Sequence, residues 1–476
     1  MPYERVDAIH KALATFDHTI QHVHDEEIGE KADVALTKHL VFLEVKASFR
    51  RKPLHVDIDD LLHEISMTFE ALEMVYRASS DKVAVSFSRV GVELLQVLIT
   101  IIDWEILSRI ESYSPDYSPP EERPIRASLR DDSSPELKNE GLEGSFGTRS
   151  ETPTNARCWS DSPERDTLLK KATKIVGHFA RVQSATRTLA NFPGLLSCLL
   201  NLVNVRPYDA VPWEARLSCL WTIANLACNP ENMKMMMNVP DMINSLVSIG
   251  SKGLLGNENL ETAMEVLRSR SITSRALGNL SHLRDNATVM TDNLALVQAM
   301  RRLSIQRQLP QLPKSKTVDE LMMQTRRNAL GCLKNLASCP RQCKINLCNY
   351  GNGQILDTLT DAALNDTDEE VRNLAIATIH SLANHDTAET MVSHPSLVLA
   401  IKNIMSCEEN EGDKDRVDTP KHHASSTLMV LERSITPEMS SYENLRDLLE
   451  AVNPATEDGM ESEAMDDDLN ENPSAV

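Results

Sequence analysis

The amino-acid sequence predicts an all-α protein built from repeated helical units. Residues 215–228 place apolar side chains every three or four positions, which is the period of a helix with one buried face. Variants of this segment recur at 274–281, 328–338 and 374–384. Aromatic residues make up only 4% of the chain and there are only 16 glycines, a composition that suits helices with aliphatic cores. A repeating pattern of this kind predicts a stack of similar units.

The four copies share one polar position, which fixes their spacing. It is occupied by Asn225, Asn279, Asn335 and Ser381, at intervals of 54, 56 and 46 residues. Helical repeats of this class run about 40–47 residues, so the first two intervals carry additional loop. The extra residues contain helix-breaking glycines or prolines between apolar runs.

These segments resemble armadillo repeats, whose third helix carries a pattern close to Ala-x-x-Ala-Leu-(Trp)-x-x-x-Asn-Leu/Ile-Ala. Residues 230–238 and 240–249 resemble the first and second helices of one unit, and 341–350 and 351–364 those of a later one. The resemblance covers roughly residues 163–434. It implies a right-handed α-solenoid of about six or seven armadillo-like repeats with a long disordered insertion.

The resemblance also implies a binding groove lined by the third helices. In armadillo proteins the asparagine bonds the backbone of an extended peptide, and a tryptophan one turn earlier packs against side-chain stems. An amide offers both a donor and an acceptor, so it can hold a peptide unit without selecting its side chain. The predicted partner-binding residues are Trp221, Asn225, Arg275, Asn279, Asn335 and Ser381.

The chain departs from the pattern at the tryptophan position, where later copies have Arg275, Gly331 and Ala377. A regular tryptophan ladder of the nuclear-import-receptor kind is therefore absent from the sequence. In an alternative interpretation, the asparagines cap or support neighbouring helices and Trp221 belongs to the core.

The sequence divides into four regions by composition. Residues 1–110 are predicted to be helical, either as a divergent first repeat that caps the solenoid or as a separate domain. Residues 111–162 form a Ser/Pro-rich acidic insertion, and 453–476 form an acidic tail; both are expected to be disordered. Between them lies the solenoid, 163–452. His178 falls 47 residues before the first aligned asparagine, which would place the insertion inside one repeat.

The insertion contains five hydroxyl residues that each precede proline. Proline-directed phosphorylation there would add negative charge. In the alternative interpretation, Ser-Pro pairs are simply common in disordered segments. The candidate positions are Ser114, Ser118, Ser134, Thr152 and Ser162.

Charge and cysteine use restrict the partners and the compartment. With 70 acidic and 49 basic residues, the net charge is −21. This excess of negative charge argues against nucleic acid or an anionic membrane as a partner, and it is compatible with a basic protein partner. In the alternative interpretation, the charge serves solubility alone. Nine scattered cysteines favour reduced thiols, and the most apolar run, 94–102, is about half the length that spans a bilayer. We expect a soluble cytoplasmic or nuclear protein without membrane insertion.

No catalytic constellation stands out in the sequence. Cys339, Cys343 and Cys348 lack the spacing of a zinc site, so buried thiols are favoured there. Phosphate-loop, nucleophile-elbow and dinucleotide-binding patterns are missing. We therefore expect a non-enzymatic adaptor, without metal or cofactor, that binds a peptide or protein in its groove. The alternative is a regulator of a small GTPase or another enzyme, which would bind a folded partner through loops at 250–265 and 306–320.

Overall fold

The computed structural model describes the chain in several separate ranges. They are residues 95, 98, 99, 101–103, 106, 163–205, 210–253, 260–305, 312, 315–406 and 419–452. Within them the regular secondary structure is helical, without strands. The predicted insertion, its phosphorylation sites, the acidic tail and nearly all of residues 1–110 lie outside the described residues and stay predictions.

Seventeen helices occupy the described residues from 163 onward. They are α1 Pro163–Phe179, α2 Gln183–Ala190, α3 Leu195–Asn204, α4 Trp213–Leu226, α5 Pro230–Met237, α6 Met242–Gly250, α7 Leu260–Leu280, α8 Arg284–Thr291, α9 Leu294–Ile305, α10 Lys316–Ala337, α11 Arg341–Asn349, α12 Gln354–Asn365, α13 Glu369–Leu382, α14 Ala388–Val392, α15 Pro395–Ser406, α16 Pro420–Ser434 and α17 Tyr442–Val452.

From α2 onward the helices follow one order along the chain: a short first helix, an apolar second helix and a third. Five complete triplets, α2 to α16, lie in the described part, and α1 has the character of a third helix. The chain forms two compact units, Met1–Pro240 and Asp241–Val476. In the first, α1 packs against α4 and α2 against α5. The predicted all-α class with armadillo-like repeats is confirmed.

The second unit shows three rows of equivalent helices. Third helices α7, α10, α13 and α16 pack in succession, as do second helices α6, α9, α12 and α15. First helices α8, α11 and α14 form the remaining row. Each row buries aliphatic side chains at helical spacing, so a residue's place in the repeat decides whether it faces the core or solvent.

Polar caps explain where several helices begin. Asn229, Ser315, Asp368 and Thr419 each accept a hydrogen bond from a backbone N–H two or three residues further on, at 2.9–3.3 Å. Such a cap satisfies a donor that the first turn leaves without an intrahelical partner. Gly353, with φ of +91°, supplies the left-handed turn into α12, a conformation that other residues rarely adopt.

A buried or half-buried arginine recurs nine residues before the shared Asn/Ser position. Arg216, Arg270 and Arg372 each donate to a carbonyl oxygen at the carboxyl end of the second helix of their own unit, at 3.0, 2.7 and 2.8 Å. Val203 lies in the last turn of α3, whereas Lys252 and Asp366 follow α6 and α12 within two residues. The arginines therefore lie near the negative ends of the helix dipoles, which favour a cation there. The arginine therefore fastens the second helix to the third in each of these three units.

The fourth arginine of this set, Arg326, instead pairs with a carboxylate of the next unit. Its Nη2 donates to Asp366 Oδ1 at 3.1 Å, and its Nε lies 2.8 Å from Asp366 Oδ2. The Asp366 side chain is fully buried. The adjacent Arg327 binds Asp368, with Nε donating to Oδ1 at 2.9 Å, and also pairs with Glu370. Helix α10 is thus tied to the start of α13 by two arginines.

Candidate functional site

The accessible side of α4 is a narrow stripe of side chains centred on Trp221. Glu214, Ser218, Trp221, Asn225 and Cys228 are exposed or half-buried and follow steps of three and four residues. Trp221 is 40% exposed, so it does not belong to the core. Large aromatic side chains left at a surface in a regular stripe are typical of contact sites.

Asn225 lies one turn after Trp221 on the same stripe. It is half-buried, and within the described residues its side-chain amide has no hydrogen-bond partner. Both the donor and the acceptor of this amide therefore remain for a ligand. An extended peptide needs this pair, because each of its peptide units offers one N–H and one C=O.

Asn335, the aligned residue of α10, has a different set of contacts. Its Nδ2 donates to Gly278 O on α7 and to Ser281 Oγ just beyond that helix, each at 3.1 Å. Two such bonds use both N–H groups of the amide. Asn335 therefore supports the neighbouring third helix. Only its amide oxygen is left to accept a hydrogen bond from another group.

A second asparagine of α10 repeats this contact one heptad earlier. Asn328 Nδ2 donates to Ser271 O at 3.2 Å, and the sequence offset of 57 residues is the same as that from Asn335 to Gly278. Close approach is possible because Gly278 has no side chain; an added Cβ would lie 3.4 Å from Asn328 O. The two bonds fix the register of α7 against α10.

The remaining predicted binding residues are Ser381 on α13 and Arg275 and Asn279 on α7. Ser381 Oγ donates to Ala377 O of its own helix at 2.9 Å, so the hydroxyl satisfies a local acceptor. Arg275 and Asn279 are half-buried and lie one turn apart on α7. All of the aligned Asn/Ser positions occupy third helices, as the sequence predicts.

Helix α1 extends the accessible stripe of α4 into a wider surface. Lys170 Nζ lies 3.4 Å from Glu214 Oε1, which joins the accessible sides of the two helices. Seven residues further on, an added Cβ at Gly177 would lie 3.4 Å from Thr222 Oγ1, so the backbones approach closely there. We call the joint surface the Trp221 face. It consists of Lys170, Lys171, Lys174, His178, Glu214, Ser218, Trp221 and Asn225.

Burial keeps four thiols of the described part in the protonated form. Burial raises the pKa of Cys332 and of Cys348 to about 12, and it also raises the pKa values of Cys198 and Cys219. High pKa values keep a thiol protonated and unreactive. Among the described residues no group of three potential ligands is arranged to hold a metal ion. The same residues include no helix long and apolar enough to cross a membrane.

Two features of the site region were missed by the sequence interpretation. The arginine nine residues before each aligned Asn/Ser was visible as a fixed offset in all four copies. The lysines of α1 were also visible, but only the packing of α1 against α4 shows that Lys170 pairs with Glu214 on the accessible side of α4. Alignment of a longer segment around each Asn/Ser position would have revealed the arginine. The contact made by the lysine could be known only from the packing of the helices.

Together the helix rows and this surface define an armadillo-like helical-repeat protein. No protein-family model and no curated protein sequence matches the chain. Among solved structures, it is similar to a designed armadillo repeat protein, YIII(Dq)4CqI, at 18% identity over 57% of this chain and 96% of the other, with a TM-score of 0.42.

Two further solved structures show a comparable likeness. A designed armadillo repeat protein in complex with the peptide (KR)4 matches at 18% identity over 57% of this chain and 95% of that one, with a TM-score of 0.42. An engineered protein from the Northeast Structural Genomics Consortium matches at 13% identity over 78% and 73% of the two chains, with a TM-score of 0.44. At these identities the likeness concerns the fold alone.

Proposed function

We propose that this protein is a non-enzymatic adaptor that binds an extended segment of a protein partner across its third helices. Trp221 and Asn225 provide the central contact. The observation that carries the proposal is that a 40% exposed tryptophan lies one turn from an asparagine whose side-chain amide has no hydrogen-bond partner in the described part of the chain. An amide left without partners in a half-buried position costs stability that a ligand could restore.

The two side chains would act in different ways on the same segment. The Trp221 ring offers a flat apolar surface for an aliphatic or aromatic side chain of the partner. The Asn225 amide, one turn away, would donate to a backbone carbonyl and accept from a backbone N–H. Because backbone groups are common to all residues, Asn225 would set the register while Trp221 selects an apolar residue.

A photocrosslinking experiment tests this proposal. A photoreactive amino acid at Ser218, between Glu214 and Trp221 on the face, is expected to trap a partner from cell extract, and mass spectrometry maps the attached peptide. Trp221→Ala and Asn225→Ala are each expected to reduce that crosslink by about tenfold, the effect of a contact worth about 1.4 kcal/mol.

Matched controls separate binding from folding. Leu399→Ala removes another exposed apolar side chain, and Asn238→Ala removes another exposed amide; both lie outside the Trp221 face. Neither control should change the crosslink, and urea denaturation should show that every variant is fully folded before urea is added. Equal crosslinking by the wild type and by both site variants would disprove a binding role for Trp221 and Asn225.

A second candidate function uses the loops between second and third helices. Helices α7 and α10 have 21 and 22 residues, compared with 14 for α4. Their extra turns bury a small apolar cluster that includes Leu312 from the loop before α10. This anchored loop could contact a folded partner, such as a GTPase or another enzyme. Deleting residues 306–311 would then abolish partner capture, whereas Trp221→Ala would leave it intact.

A further inference from the structure

We infer that the second unit binds a phosphate monoester, carried by a phosphorylated serine or threonine, at a site formed by Lys344, His380 and His422. These residues belong to α11, α13 and α16, so three helices contribute one group each. The site goes beyond the proposed function, because it involves neither Trp221 nor Asn225.

Helix packing brings the three groups together at the carboxyl end of α13. Helix α11 contacts α13, and α13 packs against α16. The ring centroid of His380, in the last turn of α13, lies 5.8 Å from that of His423, which lies 6.1 Å from that of the exposed His422. Lys344 and His422 are close enough for their positive charges to lower the pKa of His380. No ligand contact is assigned to His423, which has other interactions.

The lysine of this cluster lacks a counter-ion in the described part of the chain. Lys344 is half-buried, and its ammonium group has neither an ion pair nor a hydrogen bond with a described residue. Burial lowers its pKa, because partial desolvation disfavours the charged form. The neighbouring Cys348 thiol supplies no negative charge at neutral pH, since its pKa is about 12. By contrast, Arg341 of the same helix pairs with Asp386. A bound anion would supply the missing charge.

His380 presents a hydrogen-bond donor to the accessible side of the cluster. Its Nδ1 is buried without a partner, whereas Nε2 has no partner among the described residues but remains accessible. A neutral imidazole carries one N–H, and a buried N–H without an acceptor is less favourable than a buried lone pair. Neutral His380 therefore carries its proton on Nε2, where the N–H can donate to an anion.

The number of donors favours a phosphate monoester over a carboxylate. A phosphate monoester has three terminal oxygens and a charge of about −1.5 to −2 at pH 7, so Lys344, His380 and His422 can each contact a different oxygen. A carboxylate offers two oxygens and a single charge. The larger charge also favours protonation of the exposed His422, which adds a second cation to the site.

Peptide binding to the full chain tests the inference. The probes are three fluorescein-labelled pentapeptides with two glycines on each side of a central phosphoserine, aspartate or serine, and fluorescence anisotropy gives each Kd. The phosphoserine peptide is expected to bind about tenfold more tightly than the aspartate peptide, and inorganic phosphate should compete with it. Equal affinity for phosphoserine and aspartate would overturn the assignment of phosphate, and equal affinity for all three would reject the site.

A lysine variant separates loss of binding from loss of folding. Lys344→Met keeps an unbranched side chain without the charge and should abolish the preference for phosphoserine. Because it removes a half-buried cation that lacks a counter-ion, it should also raise the urea midpoint measured without phosphate. The control Lys402→Met removes an exposed lysine of α15 and should change neither result. An equal loss of preference in both variants would overturn the inference.

Two variants of His380 test the donor. The amide of His380→Gln can donate in place of the Nε2–H group, so this variant should keep part of the preference for phosphoserine, whereas His380→Leu should lose it. Unchanged affinity in His380→Leu would overturn the assignment of His380 to the site.

Phosphorylation of the chain itself distinguishes two sources of the phosphate group. Treatment with a proline-directed kinase should block the phosphoserine peptide if the 111–162 insertion supplies the ligand. Unchanged peptide binding after complete phosphorylation would assign the ligand to a partner protein. Lys344→Met is the control in both cases, because it should not bind the peptide before or after treatment.

Discussion

The side-chain amide of Asn335 donates to the backbone carbonyl of Gly278, 57 residues earlier, at 3.1 Å. This bond joins two neighbouring third helices at a residue type and position that the sequence associates with ligand binding. Asn225 occupies the aligned position on α4 without such a bond to any described residue. Identical residues at one repeat position thus differ: Asn335 supports the neighbouring helix, whereas we propose that Asn225 binds a ligand.

Replacement by alanine should separate the two roles. We expect Asn335→Ala to lower the free energy of unfolding by about 1–3 kcal/mol, because it removes two hydrogen bonds between neighbouring third helices, while Gly278 O keeps the hydrogen bond from Ser281 Oγ at 2.7 Å. Asn225→Ala should change it by less than about 0.5 kcal/mol. Urea denaturation measures both. A loss for Asn225→Ala as large as that for Asn335→Ala would contradict the assignment.

The buried ion pair between Arg326 and Asp366 predicts a larger effect. Asp366→Ala leaves an uncompensated guanidinium in the core and should destabilise by about 3–5 kcal/mol in urea denaturation. Arg326→Met/Asp366→Leu removes both charges and should recover most of that loss. As a control, Asp357→Ala removes an exposed carboxylate that accepts from Ser396 Oγ at 3.1 Å and lies 3.5 Å from Nε2 of the half-buried His394, and it should cost less than about 1 kcal/mol.

Acidification should destabilise the fold through His380. Its pKa is lowered, first by burial and then by the positive charges of His422 and Lys344. Because the unfolded chain takes up this proton more readily, the free energy of unfolding should fall as the pH drops below about 6.5. His380→Gln should make urea denaturation midpoints between pH 7.5 and 5.5 less dependent on pH. An unchanged dependence would exclude His380 as the titrating group.

Thiol labelling should report the difference between buried and exposed cysteines. Cys228 is exposed, whereas Cys332 and Cys348 are buried and have pKa values of about 12. In native buffer we expect N-ethylmaleimide to modify Cys228 more than about a hundredfold faster, as measured by peptide mapping. In urea the three rates should converge. Equal native rates would show that the helices around Cys332 open readily.

Sequence periodicity was sufficient to predict the helices and the repeat, because burial of one helix face is a local pattern. Trp221 and Asn225 could be placed on the same face for this reason. The partners of Asn335 could not be predicted, since they depend on the register between α10 and α7. The pairing of Lys170 with Glu214 depends in the same way on how α1 packs against α4. Contacts within a helix follow from spacing, whereas contacts between helices require the fold.

Helix α17 closes the row of second helices by packing against α15. Leu445 and Leu448 are buried, while Arg446 on its accessible side pairs with Glu443 and Glu450. Without α17, the apolar side of α15 would be exposed to solvent and could bind a second molecule. We therefore expect the last eleven described residues to cap this row and prevent further stacking. A chain cut before Tyr442 should self-associate in a concentration-dependent way that sedimentation velocity can follow.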